Sequence, residues 1–299
     1  MHPFRNRLPP LAALALCLPL LVGFGRYRPA NLLPLSLGMG DATVAAGAGT
    51  AALFTNPAGM AQRRQQSIEV GGGWNGRNNT GSGFFSSTDS QTSPGLAAGI
   101  CYGYESGELP GGIERSMHDT RFGLAAGTQS DAGSLSIGVS GRWLSFEYGG
   151  TTARDVSDWT GDVGLTTSLG QIVRLGAVWR NVFEIDTEET PRRIATGVAV
   201  ALGPVVVETD GSWGLGARVL TGPIYRAGIA AVFAEKLGLR GGYVYNNADP
   251  AVAGIHQITA GFGLSIDHVT FDVGAALEPA HPSDFTVIGS LTWYVPYAM

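Results

Sequence analysis

The chain has little charge. Asp, Glu, Lys and Arg make up 14% of its 299 residues, where soluble domains carry about a quarter. An ordinary water-facing exterior is hard to build from so few ionic side chains. Positive charge is not gathered anywhere either. The 19 Lys and Arg stand against 24 Asp and Glu, with no basic stripe of the kind nucleic acid requires. Nucleic acid is excluded as a partner. Cysteine is almost missing, with only Cys17 and Cys101. Cys17 lies in an N-terminal leader, so a mature chain keeps Cys101 alone and has no intramolecular disulfide. His118, His256, His268 and His281 are scattered without ligand spacing, and the sequence names no metal and no cofactor. Nothing assembles a Ser-His-Asp set. Gly38-Met39-Gly40 lacks both the preceding strand and the Lys-Ser/Thr of a phosphate loop. Enzyme chemistry has no foothold here.

The one long apolar run, residues 8–24, follows Arg5 and Arg7 and is interrupted by Pro9, Pro10 and Pro19. It is short for a bilayer helix and has the order of a secretory signal, with a single-span anchor as the alternative. Residues 1–30 are read as a signal peptide. The residue before Cys17 is Leu16, where a lipoprotein signal wants a small side chain.

Glycine, by contrast, is plentiful: 45 residues, about twice average usage. Residues 37–61, LGMGDATVAAGAGTAALFTNPAGMA, are small and apolar, with Asp41 as their single charge. They suit neither an ordinary helix nor a strand. Residues 31–65 are expected to form a plug, and residues 66–299 a barrel around it.

From residue 66 on, the pattern has period two. Ile258, Ala260, Phe262, Leu264 and Ile266 share one face, and Gln257, Thr259, Gly261, Gly263 and Ser265 the other. Such alternation marks a strand with one apolar and one polar face. Candidate strands are 67–75, 83–91, 95–104, 120–128, 135–148, 157–169, 171–183, 192–202, 205–213, 223–234, 237–246, 255–266, 268–278 and 285–295. About fourteen strands of membrane-spanning length result. Connections at Gly170, Gly203-Pro204, Glu235-Lys236 and Asp267 are short. They alternate with longer polar stretches at 75–81, 105–119, 149–155, 186–191, 247–254 and 279–284. That asymmetry is the habit of an outer-membrane meander. The fold class expected is all-β, a transmembrane antiparallel barrel with an N-terminal plug.

Charge falls on the polar face of the strands. Arg121, Arg142, Arg174, Arg180, Arg226 and Arg240 lie there by alternation, as do Glu69, Asp162, Glu208, Asp210 and Asp272. On a lipid face an Arg at mid-membrane costs about 2–4 kcal/mol, so this face is the lumen. Arg174, Arg180, Glu208, Asp210, Arg226, Arg240 and Asp272 form a candidate lumen charge cluster. It is read as holding the plug, with a selectivity constriction as the functional alternative. Trp74, Tyr104, Trp143, Trp159, Trp179, Trp213, Tyr243, Tyr245 and Trp293 fall on the apolar face near strand ends, as interfacial girdles do.

The run Gly38-Met39-Gly40-Asp41-Ala42, then Ala45 and Ala46, then 52–60 with Asn56-Pro57-Ala58-Gly59, resembles the N-terminal signature of FadL/PorV-type outer-membrane proteins. FadL/TodX-like transporters of hydrophobic compounds belong to that group. The Asn-Pro-Ala-Gly core after Phe54 and Thr55 is the specific part, standing directly before the first strand. The resemblance implies a fourteen-stranded barrel with an N-terminal hatch. It also implies transport of long-chain fatty acids or other hydrophobic small molecules through the bacterial outer membrane, with membrane lipid as a partner. PorV-type members serve protein secretion instead, and a secretion-associated or structural protein is the alternative. The chain lacks the large greasy loops of the transporters. Its longest loops, 77–85 and 105–119, are small and mostly polar. The residues themselves suggest architecture: Pro57 drives Asn56 out of the helical region, Asn56 can cap a nearby amide, and Gly59 permits a turn. Gly38, Gly40, Asp41, Asn56, Pro57, Ala58 and Gly59 are thus candidates for shaping the plug before touching a solute.

Overall fold

A computed structural model describes residues 33–76, 79–109, 113–149, 155–183, 185, 190–215, 222–248 and 254–296. The leader, 1–30, lies outside the described residues. Fourteen strands follow in order: β1 Gln66–Asn75, β2 Thr80–Asp89, β3 Leu96–Leu109, β4 Ile113–Ser130, β5 Gly133–Tyr148, β6 Val156–Leu169 and β7 Val173–Arg180. Then come β8 Arg193–Leu202, β9 Val205–Gly214, β10 Ile224–Phe233, β11 Leu237–Asn246, β12 Ile255–Ile266, β13 Val269–Glu278 and β14 His281–Tyr294. Each strand pairs antiparallel with its neighbours in sequence, and β1 closes on β14 from Ser67↔Tyr294 to Asn75↔Thr286. The expected fourteen-stranded barrel is the fold found. Closure removes every sheet edge.

The alternation sorts side chains as the pattern requires. On β12, Ile258, Phe262, Leu264 and Ile266 face outward, while Thr259 and Gly263 are buried inward. Large apolar side chains cover the outside of the whole barrel, among them Leu124, Ile137, Leu169 and Leu202. A belt of this kind needs lipid against it. Trp74, Tyr104, Trp159, Trp179 and Trp213 all face outward toward one end of the barrel, and Trp293 faces outward at the other.

Most of the tight turns share one end, the two-residue turn of β13 into β14 being at the other. Ala234 and Glu235 both have positive φ, the backbone of a type I′ hairpin. Asp267 (φ 52°) turns β12 into β13 there as well. The longer connections stand at the opposite end.

One expectation needs correction. Within 105–119, residues 105–109 and 113–119 are strand and not loop. β3 continues to Leu109 and β4 starts at Ile113, paired through Glu105↔Met117 and Ser106↔Ser116. The hairpin rises beyond the apolar belt, where the outer face meets water and no longer selects apolar residues. Alternation in hydropathy fades there although pairing persists. The same reason starts β14 at His281, ahead of the apolar pattern.

Residues 33–62 lie inside the barrel, and Arg63 and Arg64 are exposed where the chain turns into β1. Helix α1, Pro34–Gly38, packs on β12 and β13, and Thr259 Oγ1 donates to the Gly38 carbonyl at 3.2 Å. Helix α2, Thr50–Thr55, leads directly into a 3-10 turn, Pro57–Gln62, which packs on β4, β5 and β6. Asn56 separates the two in extended conformation (φ −157°), as a residue before proline prefers. Its Oδ1 accepts from the Ala58 amide at 3.2 Å, capping the turn that Pro57 begins.

Candidate functional site

The plug carries almost no charge of its own, so its seat must work through small side chains and backbone. The wall makes room with glycine. Gly99, Gly123, Gly138, Gly164, Gly176 and Gly197, on β3 to β8, face the plug. So do Gly228, Gly242, Gly261 and Gly274, on β10 to β13. A Cβ at any of these ten would run into the plug or a side chain that holds it. Plug glycines answer them: a Cβ on Gly38 would stand 2.9 Å from the Gly261 Cα, and one on Gly40 2.9 Å from the Tyr243 amide nitrogen. Gly40 and Asp41 both have positive φ, which turns the chain sharply after α1. Gly59 packs against the Gly47 carbonyl within the plug.

Strand β9 is different. It offers two carboxylates where its neighbours offer glycine. Asp210 Oδ2 accepts from the amides of Thr43 at 2.9 Å and Val44 at 3.1 Å. Glu208 Oε1 accepts from Ala45 at 2.6 Å, and its Oε2 from Ala46 at 3.2 Å. Four consecutive main-chain amides thus point at two buried acids. A tight turn, closed by Gly47 N to Thr43 O at 3.1 Å, aligns them as an anion-binding concavity.

The opposite polarity is met on the other side. Helix α2 ends with free carbonyls, and the wall supplies cations. Arg121 Nη1 donates to Leu53 O at 3.3 Å and Phe54 O at 3.4 Å, and Arg180 Nη2 to Thr55 O at 3.0 Å. The Arg121 guanidinium also lies 4.8 Å from the Phe54 ring centroid, a cation–π contact. Asp119 holds Arg121 in place. It is 2% exposed and sits 2.7 Å from both Arg121 Nη2 and Arg142 Nη2. On β1, Glu69 accepts from Thr50 Oγ1 at 2.5 Å and Ser290 Oγ at 2.7 Å.

Asn56 ties the centre. Its Nδ2 donates to Val44 O inside the plug at 2.9 Å and to the opposed wall carbonyls of Leu165 and Ala177 at 3.2 and 3.3 Å. Pro57 and Ala58 lie against Gly138. The Asn-Pro-Ala-Gly motif is therefore both the hinge between two short helices and a bond to the wall.

The seven lumen charges do not form one cluster. Glu208, Asp210 and Arg180 grip the plug backbone. Arg240 and Asp272 make a separate ion pair at 2.6 Å, passing over Gly263 of β12. Arg226 stands opposite Asp210 in the β9–β10 register, and its Nη1 reaches Ser212 Oγ at 3.4 Å. Arg174 lies lower on β7, with Arg63 and Glu208 among the charges near it. Sequence alone puts Arg121, Arg142 and Glu69 on the lumen face but does not join them to the plug. It misses Asp119, because that residue stands at the end of a stretch read as a loop.

Breaking the Asp119 group has a large expected cost. Arg121→Ala strips a buried charge of one partner and uncovers the end of α2, a loss of about 3–5 kcal/mol. Arg121→Lys keeps the charge but loses the forked contact and the stacking. The heat-induced mobility shift on a gel should fall in temperature for Ala, with less than half recovered by Lys. Equal behaviour of Ala and wild type would remove Arg121 from the seat.

Apolar side chains also face the lumen, at two levels. Beside the plug, Leu53, Phe54 and Met60 pack with Phe84, Ala97, Cys101 and Ala125 of the wall. Nearer the long-loop end, above Asp119 and Arg142, lie Met117, Leu144 and Phe146. Ile185 from the β7–β8 connection joins them, and all four are 0–2% exposed.

No protein-family model matches the sequence, and no curated protein is similar to it in sequence. Solved structures are similar in fold. The CymD monoaromatic hydrocarbon channel has a TM-score of 0.69 at 13% identity, over 92% of this chain and 100% of that one. The Ralstonia pickettii toluene transporter TbuX has 0.64 at 13% identity, over 92% and 98%. The P. putida toluene transporter TodX has 0.61 at 14% identity, over 88% and 98%. At such identities the likeness establishes the fold, the plugged fourteen-stranded barrel that the resemblance in the Asn-Pro-Ala-Gly region implies.

Proposed function

We propose that this barrel is a bacterial outer-membrane channel for hydrophobic small molecules, with residues 33–65 as its hatch. The apolar belt sits in membrane lipid. The tight-turn end, where β1 begins and β14 ends, faces the periplasm. The longer connections face outward. The observation that carries the reading is the apolar clusters buried inside a charged lumen, the two largest of them at the mouth and at the plug. A pore for water-soluble solutes is lined with polar groups. Here Met117, Leu144, Phe146 and Ile185 form an apolar layer at the mouth, and Leu53, Phe54, Met60 and Phe84 form another at the plug. Between them Asp119 is held by Arg121 and Arg142, whose remaining donors go to the α2 carbonyls and to Asn181. An uncharged solute that parts the closely packed first layer and then the second meets apolar contacts at each and strips no water from an ion. Channels of this fold described as carrying toluene and other monoaromatic hydrocarbons support the same solute class.

The test is entry of labelled toluene and labelled oleate into cells, or proteoliposomes, that lack other such channels. The protein should speed entry of at least one of them several-fold over the barrel-free control, and leave entry of a sugar of similar mass unchanged. Leu144→Glu should abolish the gain by putting a charge in the mouth layer. Equal acceleration of the sugar, or none of either apolar solute, would overturn the reading. The response to the two labels separates aromatic hydrocarbon from fatty acid.

A further inference from the structure

The β13–β14 hairpin ends in an irregularity. Pairing is regular from Val269↔Trp293 to Leu277↔Phe285 and then jumps to Glu278↔His281. The chain between His281 and Phe285 bulges, as strands do where a side chain must be re-aimed. The result is a cluster at the outer mouth of the lumen. One donor atom from each of Glu278, His281 and Asp284 lies within 4.8 Å of the other two. His281 Nδ1 and Glu278 Oε1 are 3.0 Å apart. Glu278 is only 3% exposed, and its Oε2 has no hydrogen-bond partner among the described residues. A buried carboxylate oxygen left bare is costly. The contact with His281 satisfies one oxygen and leaves the other.

We propose that Glu278, His281 and Asp284 form a binding site for a divalent transition cation of the zinc class. A cation beside Oε2 supplies what that oxygen lacks and neutralises a carboxylate otherwise held out of water. The donor set chooses the cation. One imidazole nitrogen and two carboxylates suit Zn²⁺, whereas Ca²⁺ and Mg²⁺ favour all-oxygen shells of six or more ligands. Tetrahedral donors at about 2.1 Å from zinc stand about 3.4 Å apart, so the widest present spacing, within 4.8 Å, closes by up to about 1.4 Å on binding. His281 can make that move, since its side chain is 46% exposed. Its exposure also gives the cation a path from solvent and leaves room for a water ligand. Bound there, the cation ties the tip of the last hairpin to the lumen rim, on the strand that closes the barrel against β1.

The test uses the full barrel in detergent, stripped with a chelator and titrated with zinc chloride by calorimetry. One saturable site per chain is expected, with no comparable signal from calcium chloride. Losing a residue that merely supports a metal ligand weakens binding about 10–100-fold, so His281→Ala and Asp284→Asn should each weaken it by at least that. Glu278→Gln should do the same. His268→Ala, at the opposite end of the barrel, should bind zinc as the wild type does. Zinc should raise the temperature of the gel mobility shift for wild type but not for His281→Ala. Cobalt in place of zinc should show visible absorption that His281→Ala removes. Should Glu278→Gln fail to fold, the exposed His281 variant still decides. Absence of a saturable site, or undiminished zinc binding by His281→Ala, would overturn the proposal and leave the cluster as a hairpin ion pair. Neither outcome bears on which solute the barrel passes.

Discussion

Replacing Glu208 and Asp210 together by alanine should loosen the plug while the barrel stays closed. The two carboxylates serve four amides, those of Thr43, Val44, Ala45 and Ala46. Thr43, Val44 and Ala45 are at most 1% exposed, so water cannot readily replace the lost acceptors. Each buried donor left without a partner costs about 1–3 kcal/mol. Against this stands relief of repulsion between two acids on one face of β9, for which Arg226 and Arg174 are only partial compensation. That relief stabilises the barrel wall and does nothing for the plug. The two effects therefore separate by location. Hydrogen exchange at residues 43–46 should quicken by about 100-fold or more, the equivalent of about 3 kcal/mol of local protection. The gel mobility shift of the barrel should hardly move. Glu208→Gln with Asp210→Asn keeps an acceptor oxygen at each place and should show a smaller effect.

The same variant reaches function. If residues 33–65 are the hatch, ion conductance across a planar bilayer should rise in the double alanine variant, and more than in the Gln/Asn one. Unchanged exchange at 43–46 would show that the carboxylates do not hold the plug. Faster exchange without added conductance would place the barrier elsewhere, at the mouth layer of Leu144 and Phe146.

Much of the barrel was legible because lipid outside and water inside force a period of two. The limits of β11 and β12 can be read to the residue from Leu237, Asn246, Ile255 and Ile266. The rule stops where lipid stops. Glu105, Arg115, Met117 and Asp119 belong to paired strands, but above the apolar belt nothing in the outward residues distinguishes strand from loop. The site was legible in its parts and not in its joins. Asn56 announces a cap because Pro57 follows it. Nothing in Thr43-Val44-Ala45-Ala46 announces an anion site, since the donors are main-chain amides common to all residues. Their partners lie more than 160 positions away. The glycines on the lumen face suggest an open channel by composition. The structure shows them as space already taken by the plug.

The sharpest test of that last point is a double-mutant cycle between Gly164 and Asn56. A Cβ at Gly164 would drive into Asn56 Oδ1 and crowd Pro57 Cδ. Asn56 cannot step aside freely, because its Nδ2 is held by Val44, Leu165 and Ala177 and its Oδ1 by Ala58. Gly164→Ala must therefore tear part of that set or push the whole 3-10 turn inward, at a cost of about 1–3 kcal/mol. Asn56→Ala costs a similar amount by another route: it leaves the Val44 carbonyl and the Ala58 amide bare. It also empties the volume that the Gly164 methyl would invade. In the Asn56→Ala background, Gly164→Ala should then be close to neutral. The two single changes should fail to add by about 1–3 kcal/mol, as expected for residues in contact. Protection of the 50–62 segment against hydrogen exchange measures all four corners of the cycle. Simple additivity would mean that Asn56 does not seat against Gly164, and the motif would then be a local turn with no hold on the wall. Non-additivity of the expected size makes glycine at that wall position a requirement of the plug, set by one side chain more than a hundred residues earlier.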